Sequence, residues 1–289
     1  MFTQRLSEPG LDGTFACPDD GEIFPGVLAL GGSEGGVPSV YLHLLVPDGF
    51  ACLALAYFGT SDTQPALVEV PLERVERGLR WLIANPLVAT HDGRVALIGA
   101  SKGAELALLV AATFPDLVGP VVAYTPSSVV WAGIDFSARR GVNRSSWSRA
   151  GTPLPFVPYP AGVGPVSSPR GLSVLPIYEA GLDTATAIED AAIAVERATG
   201  PVMLISGGDD RMWPAERMCG MVVDRMHRRG RGSAVSHVNH PEAGHVLFPY
   251  PRVSSSGPMA FDLGGSPEAA AAVHRLVWTQ VVKLLQFKE

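Results

Sequence analysis

The chain has 289 residues, of which 47% are hydrophobic and only 17% charged, and its formal net charge is −6. This composition excludes an intrinsically disordered chain, and the length fits one large α/β domain or two small ones. The acidic balance argues against a nucleic-acid partner. The apolar runs are shorter than the roughly 18–20 residues of a membrane span, so we expect no membrane partner either.

The start of the chain contains no apolar signal segment, and its three cysteines, Cys17, Cys52 and Cys219, are scattered. Their spacing favours neither a disulfide framework nor a Cys-x-x-Cys metal site. We therefore expect a soluble cytoplasmic protein.

Short apolar runs bounded by Gly, Pro or Asp alternate along the chain with helical periodicity. In chain order the pattern predicts a strand at 26–30, a helix at 38–46, a strand at 51–57, a helix at 71–84, a strand at 94–98, a helix ending at 112, strands at 118–123 and 201–205, a helix at 215–227, a strand at 234–238 and a helix at 267–287. Continuous apolar strands that alternate with helices are typical of a parallel sheet covered on both faces.

One long stretch, residues 125–182, lacks clean periodicity and carries seven prolines between positions 151 and 176. An irregular segment of this length inside a compact domain is usually functional, for example as a lid over a site. We therefore predict a single domain over residues 1–289, with residues 125–182 as its lid. The alternative is a flexible surface excursion.

Ser101 lies in a Gly-x-Ser-x-Gly motif between a predicted strand and a predicted helix. This context is typical of a nucleophile elbow, in which a tight turn lifts the serine hydroxyl above the sheet edge. A second match follows an earlier strand and contains Gly32 and Ser33, but no helix begins directly after it. We therefore predict that Ser101 is the nucleophile. The oxyanion hole would use backbone N–H groups of Gly32, Ser33 and Lys102.

A serine nucleophile needs a base and an acid that orients the base. Asp209 and Asp210 follow one late strand, and His245 follows the last one, which gives the chain order Ser, Asp, His. His237 and His240 could be drawn with these residues as a metal cluster. Their spacing is not helical and no cysteine helps, so we predict no metal and no cofactor.

Three segments then identify a resemblance: GASKGAELAL at 99–108, GGDDRMWPAE at 207–216 and HPEAGHVLFPYP at 240–251. They resemble the catalytic domain of the type I acyl-CoA thioesterases and the bile acid-CoA:amino acid N-acyltransferases. The resemblance implies an α/β-hydrolase fold, similar to that of dienelactone hydrolases, with a mostly parallel eight-stranded sheet. It places the nucleophile on Ser101, the acid on Asp210 and the base on His245.

The function implied by this resemblance is hydrolysis of an acyl thioester, on coenzyme A or on an acyl carrier protein. The N-acyltransferase branch uses cysteine as nucleophile, so Ser101 favours hydrolysis over transfer. About 20 residues precede the first predicted strand, so we expect the family's N-terminal β-sandwich domain to be absent. The alternatives are an ester or lactone hydrolase, an acyltransferase or biosynthetic enzyme, and a non-catalytic binding protein on the same fold.

The predicted lid is unusually basic. It contains five arginines and no acidic residue between Phe136 and Tyr178. We predict that Arg139 and Arg140 meet the phosphates of the substrate, and that Trp131 and Trp147 wall its acyl or pantetheine channel. Alternatively, the arginines form an ordinary solvated surface and the aromatic residues only attach the lid to the body.

Overall fold

The central feature is a nine-stranded sheet in a computed structural model that describes residues 1–137, 142–247 and 261–286. Eight of its strands are β1 Phe2–Glu8, β2 Leu11–Cys17, β3 Phe24–Leu30, β4 Ala51–Ala56, β5 Val95–Ala100, β6 Val118–Tyr124, β7 Val202–Gly207 and β8 Val235–His240. They form a continuous path in the order β1-β2-β4-β3-β5-β6-β7-β8, and a short strand at Val88–Ala89 pairs with β3. Strands β3 to β8 pair in parallel, whereas β1–β2 and β2–β4 pair antiparallel. The predicted mostly parallel sheet is confirmed, and the two-residue strand at Val88–Ala89 adds a ninth strand to the eight predicted.

Helices cover both faces of this sheet. The described α-helices are α1 Val40–Leu45, α2 Glu73–Ala84, α3 Lys102–Thr113, α4 Leu175–Thr184, α5 Ile188–Ala191, α6 Ala215–Arg228 and α7 Pro267–Gln286. Helices α2, α3 and α6 bury their apolar stripes on one face, and α1 and α7 do so on the other. In β3, Leu28 belongs to the first core and Val27 and Ala29 to the second, as the two-residue period of a strand requires. Both faces are therefore buried, which explains the continuous apolar runs of the sequence.

The sequence did not indicate the N-terminal hairpin of β1 and β2. Strand β1 is exposed at six of its seven positions. Its residues are therefore mostly polar, and it lacks the apolar run by which the buried strands were predicted. The six predicted strands are all present. No described helix combines the length and the apolar character that crossing a bilayer would require.

Residues 125–182, called the cap segment below, carry structure of their own. Short strands at Trp147–Arg149 and Thr152–Pro153 pair antiparallel, a hairpin joins Val166–Ser168 to Gly171–Ser173, and α4 follows. A third apolar cluster forms where the described part of this segment meets α6; it includes Trp131, Val157, Tyr178, Leu182, Trp213 and Met218. Through this cluster the cap segment packs against the body of the domain, and its role as a lid stays a prediction.

A substitution of Phe15 on β2 tests how much the N-terminal hairpin contributes to the free energy of unfolding. Its side chain is fully buried and makes an edge-to-face contact with Trp81, with 5.3 Å between ring centroids. We expect Phe15→Ala to lower the free energy of unfolding by about 3–5 kcal/mol, because it leaves a core cavity. Phe2, which contacts Phe15 from β1 and is 39% exposed, is the matched control. Phe2→Ala should cost less than about half as much in urea unfolding; equal costs would contradict this account of the hairpin.

Candidate active site

Ser101 lies on a strained turn between β5 and α3. Its φ of 54° and ψ of −122° are unusual for a residue with a side chain. A Cβ on Gly103 would overlap the carbonyl oxygen of Gly31, and a Cβ on Gly99 would overlap the backbone of Gly103. The two motif glycines are therefore needed for close backbone approach, as a nucleophile elbow requires.

The structure brings Ser101, His245 and Asp210 together from three loops at one edge of the sheet. The Nε2 atom of His245 lies 2.9 Å from the Ser101 Oγ, and its Nδ1 atom lies 2.8 Å from an Asp210 carboxylate oxygen. An ionised carboxylate only accepts, so Nδ1 carries the proton and Nε2 is left to accept the serine proton. The second carboxylate oxygen of Asp210 accepts backbone N–H bonds from Met212 and Trp213 at 2.8 and 3.2 Å. This arrangement is that of a nucleophile, a base and an orienting acid.

Asp209, the neighbouring carboxylate, lies in a different environment. It forms ion pairs with Arg211 and Arg170 and accepts the backbone N–H of Gly265 at 2.9 Å. Burial by itself would raise the pKa of Asp209, but the Gly265 N–H and the two guanidinium groups together lower it. Asp209 thus serves the loop structure, and Asp210 is the carboxylate that meets His245.

His237, another of the histidines named in the sequence, bonds to a residue outside this site. The Nε2 atom of His237 lies 2.7 Å from the Ser206 hydroxyl, on adjacent strands, and burial lowers the pKa of His237. In the parts of the chain that the structure describes, no three His, Cys, Asp or Glu side chains group as a metal would require.

The oxyanion loop corrects one prediction. The backbone N–H of Gly32 already donates to the Glu34 carboxylate at 2.9 Å, so Gly32 is not an available oxyanion donor. The Tyr57 hydroxyl lies 2.7 and 2.8 Å from the Gly31 and Gly32 carbonyl oxygens. Both contacts fix the loop, and neither Glu34 nor Tyr57 was indicated by the motif itself.

The other two predicted oxyanion donors, Ser33 and Lys102, stay predictions. Lys102 is the first residue of α3, where a backbone N–H has no partner within the helix. Ser33 lines the same cavity as Ser101 and Lys102. The backbone of Ser33 and Lys102 therefore remains the candidate pair of donors.

A buried ion pair lies behind the nucleophile. The Lys102 ammonium donates to both Glu105 carboxylate oxygens at 2.7 Å, and both side chains are at most 1% exposed. The Trp147 indole N–H and the Trp131 backbone N–H also donate to Glu105, at 2.7 and 3.2 Å. Burial raises the pKa of Glu105 and lowers that of Lys102, while the donors around Glu105 oppose its rise.

This pair overturns the predicted role of Trp131 and Trp147. Both side chains are fully buried, and neither lines the cavity next to Ser101. The Trp147 indole N–H and the Trp131 backbone N–H both donate to Glu105, and the Lys102 ammonium lies 5.3 Å from the centre of the Trp147 ring. The Trp131 indole N–H donates instead to the Ser127 hydroxyl at 2.9 Å. The buried carboxylate that attracts them is 26 and 42 residues away in the sequence, which is why their spacing gave no signal.

A cavity of about 1020 Å³ opens beside Ser101 and His245. Much of its described lining comes from the cap segment, and the aromatic members are Phe136, Tyr159, Tyr178, Trp213 and Phe261. Trp213 makes an edge contact with the His245 ring, with 5.8 Å between centroids, and its indole N–H donates to the Thr125 carbonyl at 3.1 Å. An apolar pocket with few polar groups next to a reactive serine is the usual form of a small-molecule site.

The described arginines of the cap segment already have partners. Arg144 pairs with Glu69, and Arg170 pairs with Asp209 and Asp262. The Arg149 guanidinium lies 5.6 Å from the centre of the Phe114 ring. Arg139 and Arg140, the predicted phosphate-binding residues, lie outside the described residues.

With this geometry in view, comparison with known proteins identifies relatives. Residues 70–288 match the family described as BAAT / Acyl-CoA thioester hydrolase C terminal. The chain is 28% identical to mouse acyl-coenzyme A thioesterase 6, covering 94% of this chain and 61% of that protein. It is 26% identical to mouse acyl-coenzyme A amino acid N-acyltransferase 1, covering 98% and 64%. The chain thus spans somewhat under two thirds of the length of these relatives.

Solved structures resemble the fold. One is a dienelactone hydrolase-like promiscuous phosphotriesterase from metagenomic libraries, with a TM-score of 0.59 and 17% identity over 98% of this chain and 97% of that one. Another is a putative dienelactone hydrolase from Klebsiella pneumoniae, with a TM-score of 0.58 and 15% identity over 99% of both chains. The predicted α/β-hydrolase fold is confirmed.

The two Gly-x-Ser-x-Gly motifs can be separated by a chemical probe. We expect a fluorophosphonate to label the wild-type chain and Ser33→Ala, since only Ser101 lies within hydrogen-bond distance of His245 among the two motif serines. Ser101→Ala should lose labelling while keeping its melting temperature. The readout is in-gel fluorescence with mass mapping of the modified peptide. Labelling of the Ser101→Ala chain at Ser33 would reverse the assignment.

Proposed function

The chain belongs to the BAAT / acyl-CoA thioester hydrolase C-terminal family, and on that premise we propose that it hydrolyses acyl thioesters through an acyl-enzyme. The observation that carries the proposal is the Ser101–His245–Asp210 hydrogen-bonded series, which opens onto a largely apolar cavity. Thioesterases and N-acyltransferases among the relatives support acyl coenzyme A as the substrate class.

In the acylation half, the Ser101 oxygen attacks the thioester carbonyl carbon while His245 Nε2 takes the serine proton. Collapse of the tetrahedral intermediate breaks the carbon–sulfur bond. The proton on Nε2 then passes to the departing sulfur, which leaves as a free thiol. Asp210 holds Nδ1–H throughout, so that the imidazole keeps the correct tautomer and its transient positive charge is stabilised.

In the deacylation half, His245 Nε2 takes a proton from water as the water oxygen attacks the serine ester. The carbon–oxygen bond to Ser101 breaks, the proton returns to the serine oxygen, and the carboxylic acid is released and ionises. In both halves the negative oxygen would be held by the backbone N–H groups of Ser33 and Lys102. Such donors typically contribute several kcal/mol because they are already oriented when the charge develops.

The experiment that tests this function is a panel of acyl-CoA thioesters with detection of the free thiol. Matching p-nitrophenyl esters, an acyl carrier protein loaded with the same acyl group, and added glycine or taurine run beside it. Thiol release with free acid as product supports hydrolysis. Acylated amino acid as the main product would identify a transferase, and activity on the oxygen esters alone would identify an esterase.

Variants of the two adjacent aspartates test which of them orients the His245 imidazole. We expect Asp210→Asn to lower kcat by about 10⁴-fold, because the amide stabilises the wrong imidazole tautomer, as in serine proteases. Asp209→Asn, the matched control, removes a carboxylate that meets arginines and Gly265. It should lower kcat less than about tenfold. Steady-state kinetics on one acyl-CoA decides, and equal losses would mean that Asp210 is not the orienting acid.

A further inference from the structure

The cavity wall beside the base is built of aromatic rings in fixed edge-to-face contact. From His245 the series runs to Trp213, then to Tyr178 at 5.6 Å, then to Tyr159 at 5.6 Å, with interplanar angles of 74°, 84° and 90°. Trp213 and Tyr178 are at most 9% exposed, so their rings are held by packing. A wall of this kind suits another ring, which extends the same edge-to-face pattern, better than it suits an alkyl chain that offers contact area alone.

The hydrogen bond between the two tyrosine hydroxyl groups of this wall is long. Tyr159 has a single hydroxyl proton, which it donates to the Ala132 carbonyl at 3.0 Å. In the contact between the Tyr159 and Tyr178 hydroxyls, Tyr178 is therefore the donor, at 3.4 Å. Hydroxyl bonds normally lie near 2.7–2.8 Å, so this one is long. Burial raises the pKa of Tyr178 to about 12, so its hydroxyl stays protonated at neutral pH.

The charges on the wall argue for a neutral acyl group. Among the described lining residues, the ammonium of Lys102 is already bonded to both carboxylate oxygens of Glu105. A second carboxylate on the acyl group would therefore find no free ammonium among these described lining residues. Tyr178 offers instead a hydroxyl, which bonds an uncharged oxygen equally well as donor or acceptor.

We propose that this cavity selects aromatic acyl groups that carry a hydroxyl or similar uncharged oxygen on the ring, and that Tyr178 is the residue that recognises this oxygen. The inference rests on the proposed acyl-transferring serine and names the substrate class of that site. A ring oxygen that reaches Tyr178 replaces its long bond to Tyr159 with one of normal length. A substrate without the oxygen leaves Tyr178 with the long bond only.

The test is a matched set of coenzyme A thioesters. It contains phenylacetyl, 4-hydroxyphenylacetyl and cyclohexylacetyl groups, and the corresponding 3-substituted propanoyl groups, because the spacer sets how far the ring reaches. Cyclohexyl and phenyl groups have the same number of carbons and differ in aromaticity. At the better spacer we expect kcat/KM to favour phenyl over cyclohexyl by about fivefold, and 4-hydroxyphenyl over phenyl by about tenfold.

The Tyr178→Phe variant tests whether the Tyr178 hydroxyl itself recognises the ring oxygen. A purely structural role of Tyr178 would leave the preference between the two acyl groups unchanged. The preference for 4-hydroxyphenyl over phenyl should fall from about tenfold to about one. Tyr41→Phe is the matched control, since Tyr41 lies on α1 and is buried in the core on the other face of the sheet. That variant should keep the wild-type preference. Because the result is a ratio within one protein sample, partial loss of folded protein does not affect it.

Failure of this proposal is distinguishable from failure of the proposed function. The same acyl groups are run as p-nitrophenyl esters. If thiol is not released from any thioester but the esters are cleaved, the thioesterase proposal fails and the acyl preference is judged on the esters. Equal rates for phenyl and cyclohexyl groups, or a hydroxyl preference that survives in Tyr178→Phe, would overturn the aromatic selection. Cleavage of neither series would overturn both.

Discussion

The close backbone approach between the elbow and the oxyanion loop is the constraint on which the site depends. Gly103 at the start of α3 leaves no room for a Cβ against Gly31, and a Cβ on Gly32 would lie 3.4 Å from that of Ser101. The two loops can approach this closely only because Gly103 has no side chain and Ser101 accepts a left-handed φ, at a cost of roughly 1–3 kcal/mol. The contact sets the nucleophile next to the backbone that would stabilise the oxyanion, so neither part is placed independently.

Glu105 extends this constraint from the elbow to the cap segment. One buried carboxylate accepts from the Lys102 ammonium, from the Trp147 indole and from the Trp131 backbone. A buried charge is tolerated only when such donors surround it, and losing one partner of a buried pair typically costs about 3–5 kcal/mol. Glu105 therefore fixes the position of the cap segment relative to helix α3. Lys102 and Glu105, in the first turn of α3 directly after the nucleophile, thus also help to position the cap segment that lines the cavity.

Local pattern predicted the parts of this molecule whose causes are local. The parallel strands, the turn around Ser101 and the placement of His245 after β8 follow from apolar runs and from where strands end. Asp210 and Asp209 stayed equal until the family resemblance separated them, because their difference lies in partners distant in sequence. Trp131 and Trp147 were misassigned for a similar reason. An aromatic residue in an irregular segment fits a cavity wall and a core equally well until its hydrogen-bond acceptor is known.

The ion network at Arg170 connects the remaining loops. Its guanidinium meets Asp209 and Asp262, while the Asp262 backbone N–H donates to Leu172 in the cap hairpin and the next carbonyl, of Leu263, accepts the backbone N–H of His245. The hairpin, the acid loop and the base loop therefore share one set of bonds. Surface ion pairs contribute little singly, but Asp262 is 3% exposed, so solvent screens this network less than an exposed pair. The basic character of the cap segment thus has a structural use at Arg170: it attaches the segment that lines the cavity to the loops that orient the catalytic imidazole.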